Sequence, residues 1–173
     1  MNNPVLSLQA DWLPASELQA DALVKSWLLE PASLTARLKS RCQQFRLQLL
    51  QQVAAPLPAF LSPLLPQAKQ CQLREVLLFC DDSPCVYAQS WLPLQSLQQL
   101  QPLADLGEQP LGEYLFSHSE LLRGQIEVSQ LTLAAKPAWA LSAGNYWARR
   151  SVLTIAGCSV LVAELFLPGA YQL

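Results

Sequence analysis

Residues 72–80 read Gln72-Leu73-Arg74-Glu75-Val76-Leu77-Leu78-Phe79-Cys80, and after Asp81-Asp82-Ser83-Pro84 the chain continues apolar from Cys85 to Leu92. Two apolar runs joined by a short Asp/Ser/Pro turn predict a β-hairpin. Alternation with period two puts Arg74 on one face with Val76, Leu78 and Cys80. The opposite face holds Leu73, Leu77 and Phe79, with Glu75 among them. Since both faces are largely apolar, the strand should be covered on both sides.

The rest of the chain extends this pattern. Phe45, Leu47 and Leu49 alternate with Arg46 and Gln48, a strand with one wet face. Gln125–Leu133 alternates likewise. Trp147–Ala156 and Ser159–Leu167, separated by a turn at Gly157-Cys158, form a second hairpin. Helices are expected from Ser16 to Leu29, opened by the capping box Ser16/Gln19, and from Leu34 to about Arg41 under a Ser33 cap. Leu94–Leu106 is helical in part, interrupted by Pro102. Leu111–Phe116 follows Pro110, which suits a helix start. Four prolines make Ala54–Pro66 a loop, either a lid or a stiff connection. Strands joined by hairpins, with helices between them, predict an α+β fold: a single domain over residues 1–173, an antiparallel β-sheet with flanking helices.

Composition narrows the function. Half of the 173 residues are hydrophobic (51%) and 14% are charged, which excludes a disordered chain. The net charge of -2, with basic residues scattered apart from Arg149-Arg150, gives no footprint for nucleic acid. The most apolar stretch, Val152–Pro168, is broken by Gly157 and carries Glu164, so no membrane span is expected. No secretory signal is recognisable, and the expected location is cytoplasmic. Five cysteines (Cys42, Cys71, Cys80, Cys85, Cys158) at irregular spacing read as reduced, mostly buried thiols. With no CxxC and one histidine, His118, no metal site is expected. His118 itself reads as an ordinary surface or half-buried residue.

Two charges do not suit their strands. Arg74 lies on an apolar face, and so does Glu164, which shares its face with Val160, Val162 and Phe166. A lone charge in such a place is costly unless paired or hydrogen-bonded. One reading is a structural ion pair between Arg74 and either Glu164 or Glu75. The other is a buried pocket in which Arg74 holds an anionic group of a substrate and Glu164 hydrogen-bonds a hydroxyl or moves a proton. Arginine suits the task because its planar fork matches a carboxylate. Of Arg149 and Arg150, alternation sends one inward to cap an acid and the other to solvent.

At these points the sequence resembles the chorismate–pyruvate lyase family. The shared features are Trp27-Leu28-Leu29 with Ser33-Leu34-Thr35, Leu73-Arg74-Glu75-Val76-Leu77-Leu78, Pro110-Leu111-Gly112 with Tyr114-Leu115-Phe116, Trp147 with Arg149-Arg150-Ser151, and Glu164-Leu165-Phe166-Leu167-Pro168. They run in the same order over nearly the whole chain. The resemblance implies a metal-free lyase without cofactors, converting chorismate to 4-hydroxybenzoate and pyruvate at the first committed step of ubiquinone biosynthesis. It implies Arg74 and Glu164 as catalytic ligands, with Leu34 and Leu111 as further substrate-binding positions. Relatives carry Met where this chain has Leu34, and Ser129–Tyr146 is longer than the family's connection.

On that basis a monomer is expected, binding chorismate and 4-hydroxybenzoate, with the helices around Pro31 and the segment around Leu111 closing over the ligand as flaps. The rival reading is a non-catalytic domain of the same fold that senses a small carboxylate. Such domains are normally joined to a DNA-binding domain, and no helix-turn-helix is recognisable here.

Overall fold

The computed structural model describes residues 2–173. Eight strands form one antiparallel sheet: β1 (Leu13–Pro14), β2 (Phe45–Pro56), β3 (Gln70–Cys80), β4 (Ser83–Pro93), β5 (Leu122–Arg123), β6 (Glu127–Leu133), β7 (Gly144–Ile155) and β8 (Cys158–Phe166). Their order is β1-β6-β7-β8-β4-β3-β2, with the short β5 paired to β7. The two expected hairpins are β3–β4 and β7–β8, and β4 pairs with β8 to join them.

Both hairpins turn through two residues with positive φ, Asp81 (48°) and Asp82 (64°) in the first and Ala156 (50°) and Gly157 (78°) in the second. The second turn therefore lies one residue earlier than expected, and Cys158 is already in β8. Two left-handed residues match the right-handed twist of the flanking strands. Asp tolerates the left-handed region better than most residues, and Asp81 also accepts from the backbone N–H of Gln43 (3.0 Å) and Gln44 (2.8 Å).

The four α-helices are short: α1 (Ala22–Leu28), α2 (Leu34–Lys39), α3 (Leu94–Gln99) and α4 (Leu111–Phe116). Ser33 caps α2 by accepting from Ala36 N at 3.2 Å, as expected. The start of α1 differs. Leu13–Pro14 pairs with β6, a 3-10 turn follows at Ala15–Glu17, and Leu18 is extended. The capping role falls to Asp21, which accepts from Val24 N at 2.9 Å, and Ser16 caps nothing.

The sheet is covered on both faces by different material. On the face of Val76, Leu78 and Cys80 lie Trp27, Leu28, Leu34 and Leu38 of α1 and α2, with Leu97, Leu111 and Leu115 of α3 and α4 further along. On the face of Leu73, Leu77 and Phe79 lie irregular segments. Leu6, Leu8 and Trp12 come from the N-terminal stretch, and Leu61 and Leu65 from the proline-rich segment. The long 129–146 stretch contributes Trp139, stacked on Tyr87 with ring centroids 4.9 Å apart, and Leu141.

The proline-rich segment is thus a packed connection, and not a lid. Its first residues, Ala54–Pro56, finish the edge strand β2, where a missing N–H is tolerated. Among the described residues no helix is long and apolar enough to cross a membrane.

Candidate functional site

One pocket lies between the sheet and the helices. It is lined by Leu34 and Thr35 of α2, Pro110, Leu111, Gly112, Leu115 and Phe116 at α4, and Ala88, Ser90, Val162 and Glu164 of the sheet. Arg123 of β5 completes its polar wall. The cavity itself is small, about 50 Å³. A larger cleft between residues 7–19 and β6 is lined by Asp11 and Glu17 with no basic side chain, a poor setting for an anion. The pocket, in contrast, is apolar with a few convergent polar groups, the usual character of a small-molecule site.

Backbone register explains the layout. Arg149, Glu164, Ala88 and Val76 are successive cross-strand partners on β7, β8, β4 and β3. Two residues along, the row is Ser151, Val162, Ser90, Arg74 and Gln52. Arg74 and Glu164 therefore share a face without being neighbours.

Neither ion-pair partner considered for Arg74 is realised. Arg74 is 2% exposed. Its Nη1 donates to Gln52 Oε1 and Gly107 O, both at 2.8 Å, and its Nη2 to Gln109 O at 2.9 Å. All three acceptors are neutral, and burial lowers its pKa. Its guanidinium does not line the open pocket; it lies behind it, holding the segment that leads into Pro110 and Leu111. These bonds use three of its five N–H groups.

Glu164 does have an ion-pair partner, Arg149, whose Nε donates to Glu164 Oε2 at 2.5 Å. Arg149 is 1% exposed, and its Nη1 also donates to Leu28 O (3.2 Å) and Glu30 O (2.8 Å) at the end of α1. Arg149 is thus the inward arginine that caps an acid. Arg150 corrects the expectation of a solvated neighbour: it is largely buried, pairs with Glu127 at 3.1 Å and stacks over Trp12 at 4.5 Å.

Leu34 and Leu111 both line the pocket, from α2 and α4. Gly112 lies where a Cβ would touch Thr35 Oγ1 (3.5 Å) and Ser33 Oγ (3.6 Å), so α2 and α4 meet there. Lys39 and Glu113 form an exposed ion pair between the same two helices. Of the segments expected to close over a ligand, α2 and the Leu111 segment line the pocket, and α1 does not.

Three polar groups of the pocket were missed in the sequence. Arg123, in the segment Leu121-Leu122-Arg123-Gly124, carries no periodic signal because β5 is only two residues long. Ser90 and Thr35 are buried but look like ordinary strand and helix residues. His118 Nδ1 donates to Tyr114 O (2.8 Å) behind α4, and the ring does not reach the pocket. The cysteines are free and, except for half-buried Cys42, buried. Burial pushes the Cys71 thiol up to about 11. Among the described residues no three potential metal ligands cluster.

Comparison with known proteins adds to this geometry. The sequence model of the family described as Chorismate lyase matches residues 6–172. A protein of Erwinia tasmaniensis named chorismate pyruvate-lyase is 39% identical over 176 residues, covering 96% of this chain and 90% of its own length. The protein of that name from Serratia proteamaculans is 34% identical over 163 residues, covering 92% and 87%. Among solved structures, the effector domain of PhnF from Mycobacterium smegmatis superposes with a TM-score of 0.60 at 15% identity, covering 79% of this chain and 89% of that one. At that identity the likeness shows a shared fold.

Proposed function

The chain belongs to the chorismate lyase family, its activity is the conversion of chorismate to 4-hydroxybenzoate and pyruvate, and we propose that this reaction takes place in the pocket lined by Leu34, Leu111 and Glu164, with Arg74 behind its wall. The observation that carries the assignment is the placement of two opposite charges on one sheet face, Arg74 buried and Glu164 13% exposed, with the apolar slot under α2 and α4 opening at Glu164.

Chorismate is a planar-tending ring with a carboxylate at C1, an enolpyruvyl ether at C3 and a hydroxyl at C4. The C4–H and C3–O bonds break, the ring becomes aromatic, and the released enolpyruvyl group takes up a proton to leave as pyruvate. Aromatisation makes the overall step downhill, so the protein's part is orientation and electrostatic support.

In this reading the 107–111 segment that Arg74 holds shifts as the ligand enters, and Arg74 takes the C1 carboxylate with the N–H groups its carbonyl partners leave free. Glu164 accepts from the C4 hydroxyl, which becomes the phenol. Arg149 keeps the Glu164 carboxylate aimed, Leu34 and Leu111 close over the ring, and the Ser90 and Thr35 hydroxyls offer polar contacts along its edge. The product then feeds ubiquinone biosynthesis, and the protein works as a cytoplasmic monomer.

The test is direct. Purified protein is mixed with chorismate, 4-hydroxybenzoate is followed by absorbance, and pyruvate is followed by its reduction with lactate dehydrogenase. Equimolar appearance of both products is expected. Binding of chorismate with no product would instead support the sensor reading, which no comparison favours.

A further inference from the structure

The pocket's Glu164 end holds more positive charge than its acids use. Arg149 and Arg123 both flank Glu164, and Glu30, the other nearby carboxylate, is already paired with Arg37 at 3.3 Å. Arg123 lines the pocket. Its one hydrogen bond, Nη1 to Glu30 O, is stretched to 3.5 Å, and its Nε is buried without any partner. Nη2 of Arg149 is orphaned in the same way. The ring of Phe116 lies 5.3 Å from the Arg123 guanidinium.

Two guanidiniums at one carboxylate, with buried N–H donors on both, is a costly arrangement for a structural ion pair. One arginine would balance Glu164, and a second is repelled by the first. Burial and Arg149 lower the pKa of Arg123, while Glu164 and Glu30 raise it. The surplus makes sense when an anion arrives.

Chorismate supplies one at this position. Its C3 ether is adjacent to the C4 hydroxyl assigned to Glu164, so the carboxylate of the enolpyruvyl group falls at the Glu164 end, remote from the C1 carboxylate at Arg74. We propose that Arg123 binds the enolpyruvyl carboxylate of the substrate, with the orphaned donor of Arg149 beside it. Three guanidiniums and one carboxylate then face a dianion. The contact exists for chorismate and is lost once pyruvate leaves, because 4-hydroxybenzoate has no second carboxylate. Arg123 is thus a specificity residue that tells substrate from product.

This inference rests on the reading of the site above, and its experiment separates the two. Chorismate kcat/KM and the equilibrium Kd of 4-hydroxybenzoate are measured for the wild type, Arg123→Met and Arg123→Lys. In parallel, binding of 3-(carboxymethoxy)-4-hydroxybenzoate, an unreactive probe with both carboxylates, is measured for the same three. Arg123→Met should lose about 10- to 100-fold in kcat/KM and in probe affinity, the scale of a charged hydrogen bond. Its 4-hydroxybenzoate Kd should stay within about twofold, and Arg123→Lys should recover part of the loss.

Equal weakening of product and substrate would overturn the proposal, since Arg123 would then merely shape the pocket. So would unchanged probe affinity in a folded Arg123→Met protein. If Arg123→Met does not fold, Arg123→Lys and Arg123→Gln carry the same comparison of probe with product. An inactive wild type would defeat the lyase reading, while the probe would still report on the second carboxylate.

Discussion

Arg74 and Glu75 are adjacent in sequence, lie on opposite faces of β3, and are both almost wholly buried. Neither is in an ion pair, yet the two sites are built differently. Glu75 accepts from Val5 N (2.9 and 3.1 Å), Gln89 Nε2 (3.3 Å), Gln51 Nε2 and the Tyr87 hydroxyl. Its acceptor capacity is filled by groups that are fixed by the fold, and the Tyr87 pKa is raised by burial and by Glu75 itself. Arg74 is held by two carbonyls and one amide oxygen, with N–H groups left over, beside a pocket. A saturated buried charge fastens the chain. An unsaturated one can recognise a ligand.

The sharpest way to break this contrast is to remove the filled site. Glu75→Ala should cost about 3–5 kcal/mol of stability, because several buried donors lose their acceptor and a cavity remains. Chemical denaturation measures the loss, and the fraction that stays folded should turn over chorismate normally. A stable Glu75→Ala protein with impaired turnover would move Glu75 to the functional side.

The complementary change is Arg74→Met. Turnover should fall by roughly 100-fold, the scale of a removed preorganised contact, while the melting temperature drops only modestly. Adding Glu164→Gln should restore neither activity nor stability, since the partner of Glu164 is Arg149. Rescue in the double variant would show that Arg74 and Glu164 depend on each other after all. Near-normal turnover by folded Arg74→Met would remove Arg74 from the site.

An exposed charge sets the baseline for both. Lys39→Ala breaks the pair with Glu113, whose side chains are 43% and 44% exposed, and stability should change by no more than about 0.5 kcal/mol. Thermal melting in low and in high salt would check it. A large loss would mean that the bridge between α2 and α4 holds the pocket closed.

Much of this was legible in the sequence because period two makes a misplaced charge visible. Arg74 and Glu164 stand out in long strands for that reason, and Leu34 and Leu111 followed from the resemblance. The pairing of Glu164 with Arg149 needs the β7–β8 register, which a turn shifted by one residue would misassign. Arg123 was hidden because a two-residue strand has no period. Glu75 could be placed on its face, but its donors come from Val5, Gln51 and Tyr87, positions brought together only by the sheet order and the N-terminal stretch. The start of α1 was misread because Ser16 and Asp21 are both competent caps, and strand pairing at Leu13–Pro14 decided between them.

The two helices over the pocket, α2 and α4, contain six residues each. Segments that short have almost no helical stability of their own and persist through the contacts they make. On the proposed reading the door of this site is a small folding equilibrium, and admitting a ligand means briefly melting part of the wall. Warming loosens the door as well as speeding the chemistry. Ligand exchange should then steepen with temperature more than the bond-breaking step does.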